Sequence, residues 1–351
     1  MFQRILVPLD GSDGAERAIP VAARIARASG GSIVFMRVVP ALAEVGTFAA
    51  GARGTITMKS EIEASEKELA GAASYLAAII AAYADELAGI KTEMDVAAGA
   101  ASPTIFSTVR HEHVDLVVMC SHGETGLKRW VLGSVAQQAV RHSPVPVLVL
   151  NEHGMVPLAL SAAHCLRVLV PLDGSALAEA ALEPAAQLIA ALTDPVQCEL
   201  HLLRVVDLPP AYGRMKSQAH ISDSMQQEAR KEAETYVQAM AERLRETTFA
   251  TCKLHLTSSV AVSTDVAGTI ITQAEQSGSS DGYDVIAIAT HGRGGLKRLV
   301  MGSVTEHLLG FTKLPLLIVR PQEAETRGEE QGGTIPVEGT GVEAQTWPGL
   351  L

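Results

Sequence analysis

Short apolar runs rich in Val, Ile and Leu alternate along this chain with longer Ala-rich stretches of helical periodicity. In the first half, the runs predict strands over Arg4–Leu9, Ser32–Val39, Lys91–Ala97, Asp115–Cys120 and Val145–Leu150. The stretches between them predict helices over Ala15–Ala28, Lys59–Leu87, Ser102–Glu112 and Ser134–Arg141. Because the strands are apolar along their whole length, we expect burial of both faces, which is typical of a parallel sheet covered by helices on each side.

The second half of the chain repeats this pattern in the same order. "RILVPLDGS", which begins at Arg4, returns as "RVLVPLDGS" from Arg167. "SHGETGLKRWVLGSV", which begins at Ser121, returns from Thr290 as "THGRGGLKRLVMGSV", with ten of fifteen positions identical. Each half therefore predicts one doubly wound α/β domain, and the second includes a long polar helix from about Ser222 to Glu246.

The length of the chain agrees with a tandem duplication. A chain of 351 residues with 47% apolar content is long enough to form two hydrophobic cores. We predict a first domain over residues 1–150, a linker over 151–164 and a second domain over 165–320. The remaining segment, 321–351, is rich in Gly, Glu and Thr and has little periodicity, so we expect it to be disordered.

Charge and cysteine usage narrow the functional classes. Lys and Arg total 28 against 39 Asp and Glu, and the net charge of -11 opposes a broad nucleic-acid or anionic-membrane surface. The apolar runs are of strand length, and the N-terminus resembles no signal peptide, so we expect a cytoplasmic protein. The four cysteines lack CxxC spacing, which argues against a disulfide framework or a zinc knuckle.

A glycine-rich segment follows the fourth predicted strand of each half and ends in Gly-Ser at the start of a helix. These dipeptides are Gly133-Ser134 and Gly302-Ser303. Free backbone N–H groups and the positive end of the helix dipole favour anions there, and glycine allows a phosphate to approach the backbone closely. The spacing matches neither the Walker A pattern nor GxGxxG, so we interpret the segment as another kind of phosphate site.

An aspartate ends the first strand of each half, within "VPLDGS". Asp10 and Asp173 are expected at the carboxyl edge of the sheet, where ligands of open α/β sheets bind. There they could accept hydrogen bonds from a ribose or help to hold Mg²⁺ near phosphates. The alternative interpretation is that "DGS" is a turn that begins a helix, with the aspartate bonded to local backbone amides.

The combination of "VPLDGS", a G-x9-G-S segment after the fourth strand and a closing "PVLVL" resembles the universal stress proteins, here in tandem form. The resemblance covers residues 1–150 and 165–320. It implies a Rossmann-like fold of five strands per domain in the order 3-2-1-4-5, with ATP in the crevice between strands one and four. Single-domain members of this family dimerise through strand five.

The resemblance also implies a set of nucleotide-binding residues. In the first half these are Pro8, Asp10, Val38, Gly99, Gly123, Gly133, Ser134 and Val135, and in the second half they are Pro171, Asp173, Val205, Gly292, Gly302, Ser303 and Val304. Asp10 and Asp173 would contact ribose or Mg²⁺, and Val38 and Val205 would contact adenine. Two positions depart from the family pattern: Cys120 and Ala289 replace the first glycine of the motif, and Thr264 stands where the second half should match Gly99.

Other polar residues of the glycine-rich segments have ordinary interpretations. His122 and His291 lack a second metal ligand that recurs in both halves, so we expect them to be hydrogen-bonding loop residues. Lys128, Arg129, Lys297 and Arg298 could contact phosphates or remain solvated. A nucleophile–base pair does not recur in the two halves, which argues against an efficient enzyme.

The leading hypothesis is an ATP-binding tandem protein, with Mg²⁺ as a further expected ligand, that acts as a cytoplasmic regulatory or protective factor during stress. The alternatives are a slow ATPase or nucleotidyl-transferring enzyme in the same crevice, and a partner-binding protein with a vestigial nucleotide site. We expect the two fifth strands, Val145–Leu150 and Leu314–Val319, to pair antiparallel within one chain because exposed apolar edges seek a partner. Dimerisation of the whole chain remains open.

Overall fold

The strands of the computed structural model form one sheet that runs through both halves of the chain. The structure describes residues 2–41, 58–121, 132–151, 166–192, 198–207, 216–246, 254–275, 282–292 and 301–321. The strands are β1 (Arg4–Pro8), β2 (Ser32–Val39), β3 (Lys91–Ala98), β4 (Leu116–Cys120), β5 (Val147–Leu150), β6 (Leu166–Leu172), β7 (Cys198–Asp207), β8 (Leu254–Ser263), β9 (Val285–Ala289) and β10 (Leu316–Val319). Their order is β3-β2-β1-β4-β5-β10-β9-β6-β7-β8.

Helices connect successive strands of each half and cover both faces of the sheet. They are α1 (Asp13–Glu16), α2 (Ala18–Ser29), α3 (Met58–Ala82), α4 (Ala101–His111), α5 (Ser134–His142), α6 (Ala176–Glu179), α7 (Leu182–Leu192), α8 (Lys216–Glu246), α9 (Val266–Glu275) and α10 (Ser303–Phe311). One apolar cluster includes buried residues of α2, α7 and the end of α8, and the other includes α4, α5, α9 and α10.

Each half has the strand order 3-2-1-4-5, and all pairings within a half are parallel. Buried aliphatic residues on both faces of β1, such as Ile5 and Leu6, explain why this strand lies in the middle of its half. The predicted fold class of two tandem doubly wound units is confirmed. The expected tail, 321–351, lies outside the described residues except for Pro321, and so does most of the predicted linker.

The two halves meet where β5 pairs antiparallel with β10. Leu317 lies opposite Leu148, with Leu316 opposite Val149 and Ile318 opposite Val147. Side chains alternate across a strand, so Leu148 and Leu317 belong to one apolar cluster and the neighbouring residues belong to the other. The predicted intrachain pairing of the two fifth strands is therefore confirmed.

Helices reinforce this junction on both faces. On one face α2 packs against α7, and the guanidinium of Arg24 donates to the carbonyl oxygen of Leu192 at 2.6 Å. On the other, Arg141 of α5 forms an ion pair with Glu306 of α10 at 3.4 Å. The Glu306 side chain is 62% exposed, so this pair contributes little stability compared with the buried strands.

The first predicted helix, Ala15–Ala28, is divided in the structure into α1 and α2, with Arg17 between them. Pro20 lacks a backbone N–H and cannot donate to the carbonyl oxygen of Glu16, which interrupts the helical ladder at this point. The Ser12 hydroxyl accepts from the backbone N–H of Ala15 and starts α1 two residues earlier than expected.

A buried polar cluster distinguishes the second half. His201 on β7 is 8% exposed, and its two ring nitrogens lie 2.7 Å from the hydroxyls of Thr257 and Ser259 on β8. Burial lowers the pKa of His201, an effect that the positive charge of Arg167 reinforces and the negative charge of Glu199 opposes. The residue of β2 that matches His201 is Val34. Val34 pairs with Leu6 of β1, just as His201 pairs with Leu169 of β6.

Shortening a side chain at the β5–β10 junction should destabilise the protein. Leu317 is fully buried, so we expect Leu317→Ala to lower the free energy of unfolding by about 2–5 kcal/mol through lost transfer energy and a residual cavity. Urea denaturation measures this loss. Met94→Ala on the edge strand β3, where the side chain is 51% exposed, is the control and should cost less than about 0.5 kcal/mol. Equal effects would contradict the importance of the junction.

His201 should make the stability of the protein depend on pH. A histidine whose pKa is lowered in the folded state contributes stability that is present above its unfolded pKa of about 6.5 and is lost as the pH falls below it. We expect the free energy of unfolding to decrease from pH 7 to pH 5, and His201→Val to reduce this slope by up to about 1.4 kcal/mol per pH unit.

Denaturation curves collected across this pH range measure the slope. Glu199 titrates at lower pH because, although burial raises its pKa, the hydrogen bond from Thr257 and the ion pair with Arg167 bring its pKa below the ordinary value. His255→Gln on the exposed side of β8 is the matched control and should retain the wild-type slope. An unchanged slope in His201→Val would show that this prediction is wrong.

Candidate functional site

A cavity of about 890 Å³ lies at the carboxyl ends of β6, β7 and β9 in the second half. This is the edge where open α/β sheets bind ligands, beside the reversal of strand order between β6 and β9. All the residues that sequence analysis assigned to this half line the cavity: Pro171, Asp173, Val205, Gly292, Gly302, Ser303 and Val304. Backbone folding therefore brings together positions that are separated by more than a hundred residues in sequence.

The corresponding residues of the first half occupy equivalent positions. Pro8 ends β1, and Asp10 follows it in the turn before α1. Val38 lies near the end of β2 and packs with Val135 against the same apolar cluster. Gly133 precedes α5, whose first two residues are Ser134 and Val135. Gly123, like His122 and the basic residues of both glycine-rich segments, lies outside the described residues.

Asp10 and Asp173 each form the "DGS" turn that sequence analysis gave as the alternative interpretation. Asp10 Oδ1 accepts from the backbone N–H of Ser12 at 3.0 Å and from its hydroxyl at 2.7 Å. Asp173 Oδ1 accepts from the N–H and hydroxyl of Ser175 at 2.9 and 2.6 Å. The turn fixes each carboxylate at the carboxyl edge of its central strand. For Asp173, this local bonding and a place in the lining of the cavity occur together.

Gly292 is required where it stands because the carboxylate of Asp173 occupies the space of a side chain. A Cβ atom built on Gly292 would overlap Asp173 Oδ2. The backbone after β9 therefore lies directly against this carboxylate, and both line the cavity. The close approach of the Asp173 carboxylate to this backbone agrees with the glycine that the motif places at this position.

The ends of the two glycine-rich segments are held in the same way. The N–H of Gly133 donates to the carbonyl oxygen of Ser121 at 2.8 Å, and the N–H of Gly302 donates to that of Thr290, also at 2.8 Å. Ser121 and Thr290 are buried, and each donates its own N–H to the last residue of strand five in its half. The start of the following helix is therefore fixed relative to the sheet.

Neither helix that follows these segments has a side-chain cap. Gly133 precedes α5 and Gly302 precedes α10, and neither N-cap position provides a side-chain acceptor. By contrast, the hydroxyls of Ser12 and Ser175 cap α1 and α6. An uncapped helix presents its first backbone N–H groups and its positive dipole to the solvent or to an anion. Both halves thus place the uncapped N-terminus of a helix at the carboxyl edge of the sheet.

The positions that depart from the family pattern remain compatible with a crevice. Cys120 ends β4 and Ala289 ends β9, and Ala289 lines the cavity without filling it. Gly99 has a φ of +145°, a conformation that side chains rarely adopt. Among the described non-glycine residues only His113 has a positive φ, so Thr264 adopts another backbone conformation at the matching turn.

Three further residues near the carboxyl edge of the sheet recur in both halves and were missed by sequence analysis. In the first half, the hydroxyl of Tyr75 donates to Glu16 Oε1 at 3.0 Å, and the Arg37 guanidinium lies 4.5 Å above the centre of the Tyr75 ring. The same guanidinium occupies the space beside Gly11 where a Cβ atom would lie, 2.8 Å from Arg37 Nη1. An arginine recurs in the repeated segments "FMRVV", Phe35–Val39, and "LLRVV", Leu202–Val206. This repetition was the sequence signal that could have identified it.

The second half repeats this arrangement. The hydroxyl of Tyr236 donates to Glu179 Oε1 at 3.0 Å, and Arg204 donates from Nη1 to the carbonyl oxygen of Leu172 at 3.2 Å. Burial raises the pKa of Tyr236 above its ordinary value, and the negative charge of Glu179 adds to this effect. The phenol therefore stays protonated, and Arg204 and Tyr236 form a polar wall of the cavity.

His291 lies at the cavity immediately before Gly292. Its Nδ1 atom is 2.9 Å from the hydroxyl of Thr290, which agrees with the expected hydrogen-bonding role. Its Nε2 atom is buried and has no hydrogen-bond partner among the described residues. Among the residues that the structure describes, no group of three or more His, Cys, Asp or Glu side chains is suited to hold a metal ion.

Comparison with known proteins places these features in a family. The model of the universal stress protein family matches residues 1–151 and 166–320. A universal stress protein of Mycolicibacterium smegmatis is 24% identical over 323 residues, covering 91% of this chain and 97% of its own length. One from Methanocaldococcus jannaschii is 29% identical over 154 residues, which cover 43% of this chain and 84% of that relative.

A solved structure agrees at the level of the fold. A universal stress protein from Archaeoglobus fulgidus superposes with a TM-score of 0.60 at 19% identity, covering 90% of this chain and 98% of the other. In addition, no helix within the described ranges is both long and apolar enough to cross a membrane. The family match extends over both halves and includes both crevices, so the chain belongs to the universal stress protein family, in a tandem arrangement.

Proposed function

We propose that this chain binds ATP, together with Mg²⁺, and acts as a cytoplasmic regulatory or protective factor in a stress response. The observation that carries the proposal is the uncapped N-terminus of α10 at the carboxyl edge of the sheet, beside a cavity that Asp173 also lines. The first half repeats the uncapped helix and the aspartate, which supports a second site. The resemblance of the motifs to nucleotide-binding members of the family agrees with this proposal.

The size and lining of the cavity suit a nucleotide. A volume of about 890 Å³ falls within the range of small-molecule sites, about 300–1,000 Å³. Apolar side chains of Val205, Val266 and Ile270 form one part of the wall and could pack against a flat base. The N–H groups that begin α10 could bind the phosphates, and the Ser303 hydroxyl could add another donor.

Mg²⁺ would be held largely by the phosphates. Mg²⁺ in nucleotide sites commonly has one or two carboxylate ligands, with phosphate oxygens and water completing its shell. Each crevice provides one aspartate of the predicted set at its central strand, Asp10 or Asp173, which fits this arrangement. The bound ion would reduce the repulsion between this carboxylate and the phosphates.

Bound nucleotide would act by favouring one conformation of the crevice. Each glycine-rich segment begins at a buried residue next to the sheet, Ser121 or Thr290, and its last glycine is hydrogen-bonded to that residue. A ligand on α5 or α10 would therefore change the surface next to the central strands. A ligand changes the balance between two states by the difference in its affinity for them. In this way ATP could control which surface the protein presents to a partner.

Calorimetric titration with ATP and Mg²⁺ should show up to two sites per chain. Gly302→Val should weaken the second site by at least about tenfold, or about 1.4 kcal/mol, because its side chain would obstruct the approach of a phosphate to the helix N-terminus. Gly133→Val should have the same effect on the first site.

A matched control lies within the same helix. Gly310 of α10 has open space around the position of a Cβ atom, so Gly310→Val should leave ATP affinity unchanged. Circular dichroism and thermal melting verify that each variant is folded. The absence of any heat of binding at millimolar ATP, or equal affinities in Gly302→Val and Gly310→Val, would refute the proposed site.

A further inference from the structure

The cavity of the second half has two chemically different ends. One end is formed by the N-terminus of α10 and its Gly302-Ser303 pair, which attract anions. The other end is formed by β7 and α8, where the carboxylates of Asp207 and Glu232 line the cavity. Since β6 separates β7 from β9, these ends are about two strand spacings, or roughly 10 Å, apart.

Both carboxylates are available to a ligand. No hydrogen bond or ion pair engages either side chain within the part of the chain that the structure describes. Asp173 differs from them because its Oδ1 atom already accepts from Ser175. An ionised carboxylate only accepts hydrogen bonds, and it repels a phosphate. A nucleotide in this cavity must therefore direct its phosphates to α10 and present hydrogen-bond donors to β7 and α8.

The first half lacks both carboxylates. Arg37 and Arg204 occupy matching positions on β2 and β7, so the residue three positions further is Pro40 in the first half and Asp207 in the second. Tyr75 and Tyr236 make the same hydrogen bond, and the residue four positions earlier on each helix is Gly71 or Glu232. Two acceptors are thus present at one crevice and absent from the other.

We infer that the second crevice selects its nucleotide by the base, with Asp207 accepting a hydrogen bond from an exocyclic amino group and Glu232 bordering the same pocket. This inference rests on the proposed nucleotide-binding function and adds a specificity that the first crevice does not share. Asp207 is the specificity-determining residue because it continues the strand that forms the apolar wall.

The position of Asp207 favours the base over the ribose. Asp207 lies two residues beyond Val205, so both side chains project from the same face of β7. A base packed against Val205 would direct its outer edge, the one furthest from the ribose, towards Asp207. In adenine this edge carries the 6-amino group, which donates. Hypoxanthine carries a carbonyl oxygen at that position, which faces a carboxylate unfavourably, and its donor on this edge is the neighbouring N1–H.

Titration of the full-length chain carrying Gly133→Val restricts the measurement to the second crevice. ATP, ITP and 2′-deoxy-ATP are compared in the presence of Mg²⁺, since ITP has an oxo group in place of the 6-amino group and moves the donor of this edge to N1. We expect ATP to bind more tightly than ITP by about tenfold or more, as for a hydrogen bond to a charged acceptor. Asp207→Asn should reduce this ratio to less than about threefold, because the amide can donate to the carbonyl oxygen.

Matched variants separate the role of Asp207 from general effects of charge. Glu228 is an exposed glutamate of α8 that does not line the cavity, so Glu228→Gln should retain the full preference for ATP. Conversely, Pro40→Asp in a chain that carries Gly302→Val should give the first crevice a preference for ATP over ITP. Circular dichroism confirms folding of each variant.

The outcomes distinguish failure of the inference from failure of the proposed function. Equal affinities for ATP and ITP, or a preference unchanged by Asp207→Asn, would overturn the inference while ATP binding stands. A change confined to the ratio of ATP to 2′-deoxy-ATP would also overturn it, because Asp207 would then contact the ribose. Failure of every nucleotide to bind the wild-type chain would overturn the proposed function as well.

Discussion

The antiparallel pairing of β5 with β10 is the constraint on which the rest of this molecule depends. A five-stranded parallel sheet ends in an edge with unpaired backbone groups, and here each edge satisfies the other. Leu148 and Leu317 bury their side chains at this seam, and α2 and α7 pack across it on one face. Because both halves share one sheet and both apolar clusters, the carboxyl edges of their central strands are held in a fixed spatial relation by the same interaction that stabilises the fold.

The carboxyl edge of the sheet gathers polar groups from several elements in each half. A turn fixes an aspartate, a buried Ser or Thr fixes the start of a helix, and the absence of a helix cap leaves backbone donors available. Duplication then allows the two copies to diverge. The hydrogen bond from Tyr75 to Glu16 recurs as that from Tyr236 to Glu179, whereas Asp207 and Glu232 have no acidic counterpart.

Periodicity and repetition predicted two tandem doubly wound units, because apolar runs and internal repeats are strong local signals. The strand order followed from the family resemblance, and the intrachain pairing followed from the apolar edge strands together with that resemblance. The division at Arg17 was missed because Pro20 interrupts the ladder from a position inside an otherwise helical pattern. The Tyr–Glu hydrogen bonds were missed because each joins two helices whose bonded residues are more than fifty positions apart in sequence. His201 was missed for a similar reason, since its partners Thr257 and Ser259 lie on a neighbouring strand.

Hydrogen exchange measured by mass spectrometry, with and without ATP and Mg²⁺, tests the central claim of two equivalent anion-binding edges most directly. The account predicts slower exchange in two pairs of segments: the turn after β1 with the start of α5, and the turn after β6 with the start of α10. The edge strands β3 and β8 should exchange at unchanged rates. Protection that is absent at saturating ATP, or that appears only away from these segments, would contradict the account.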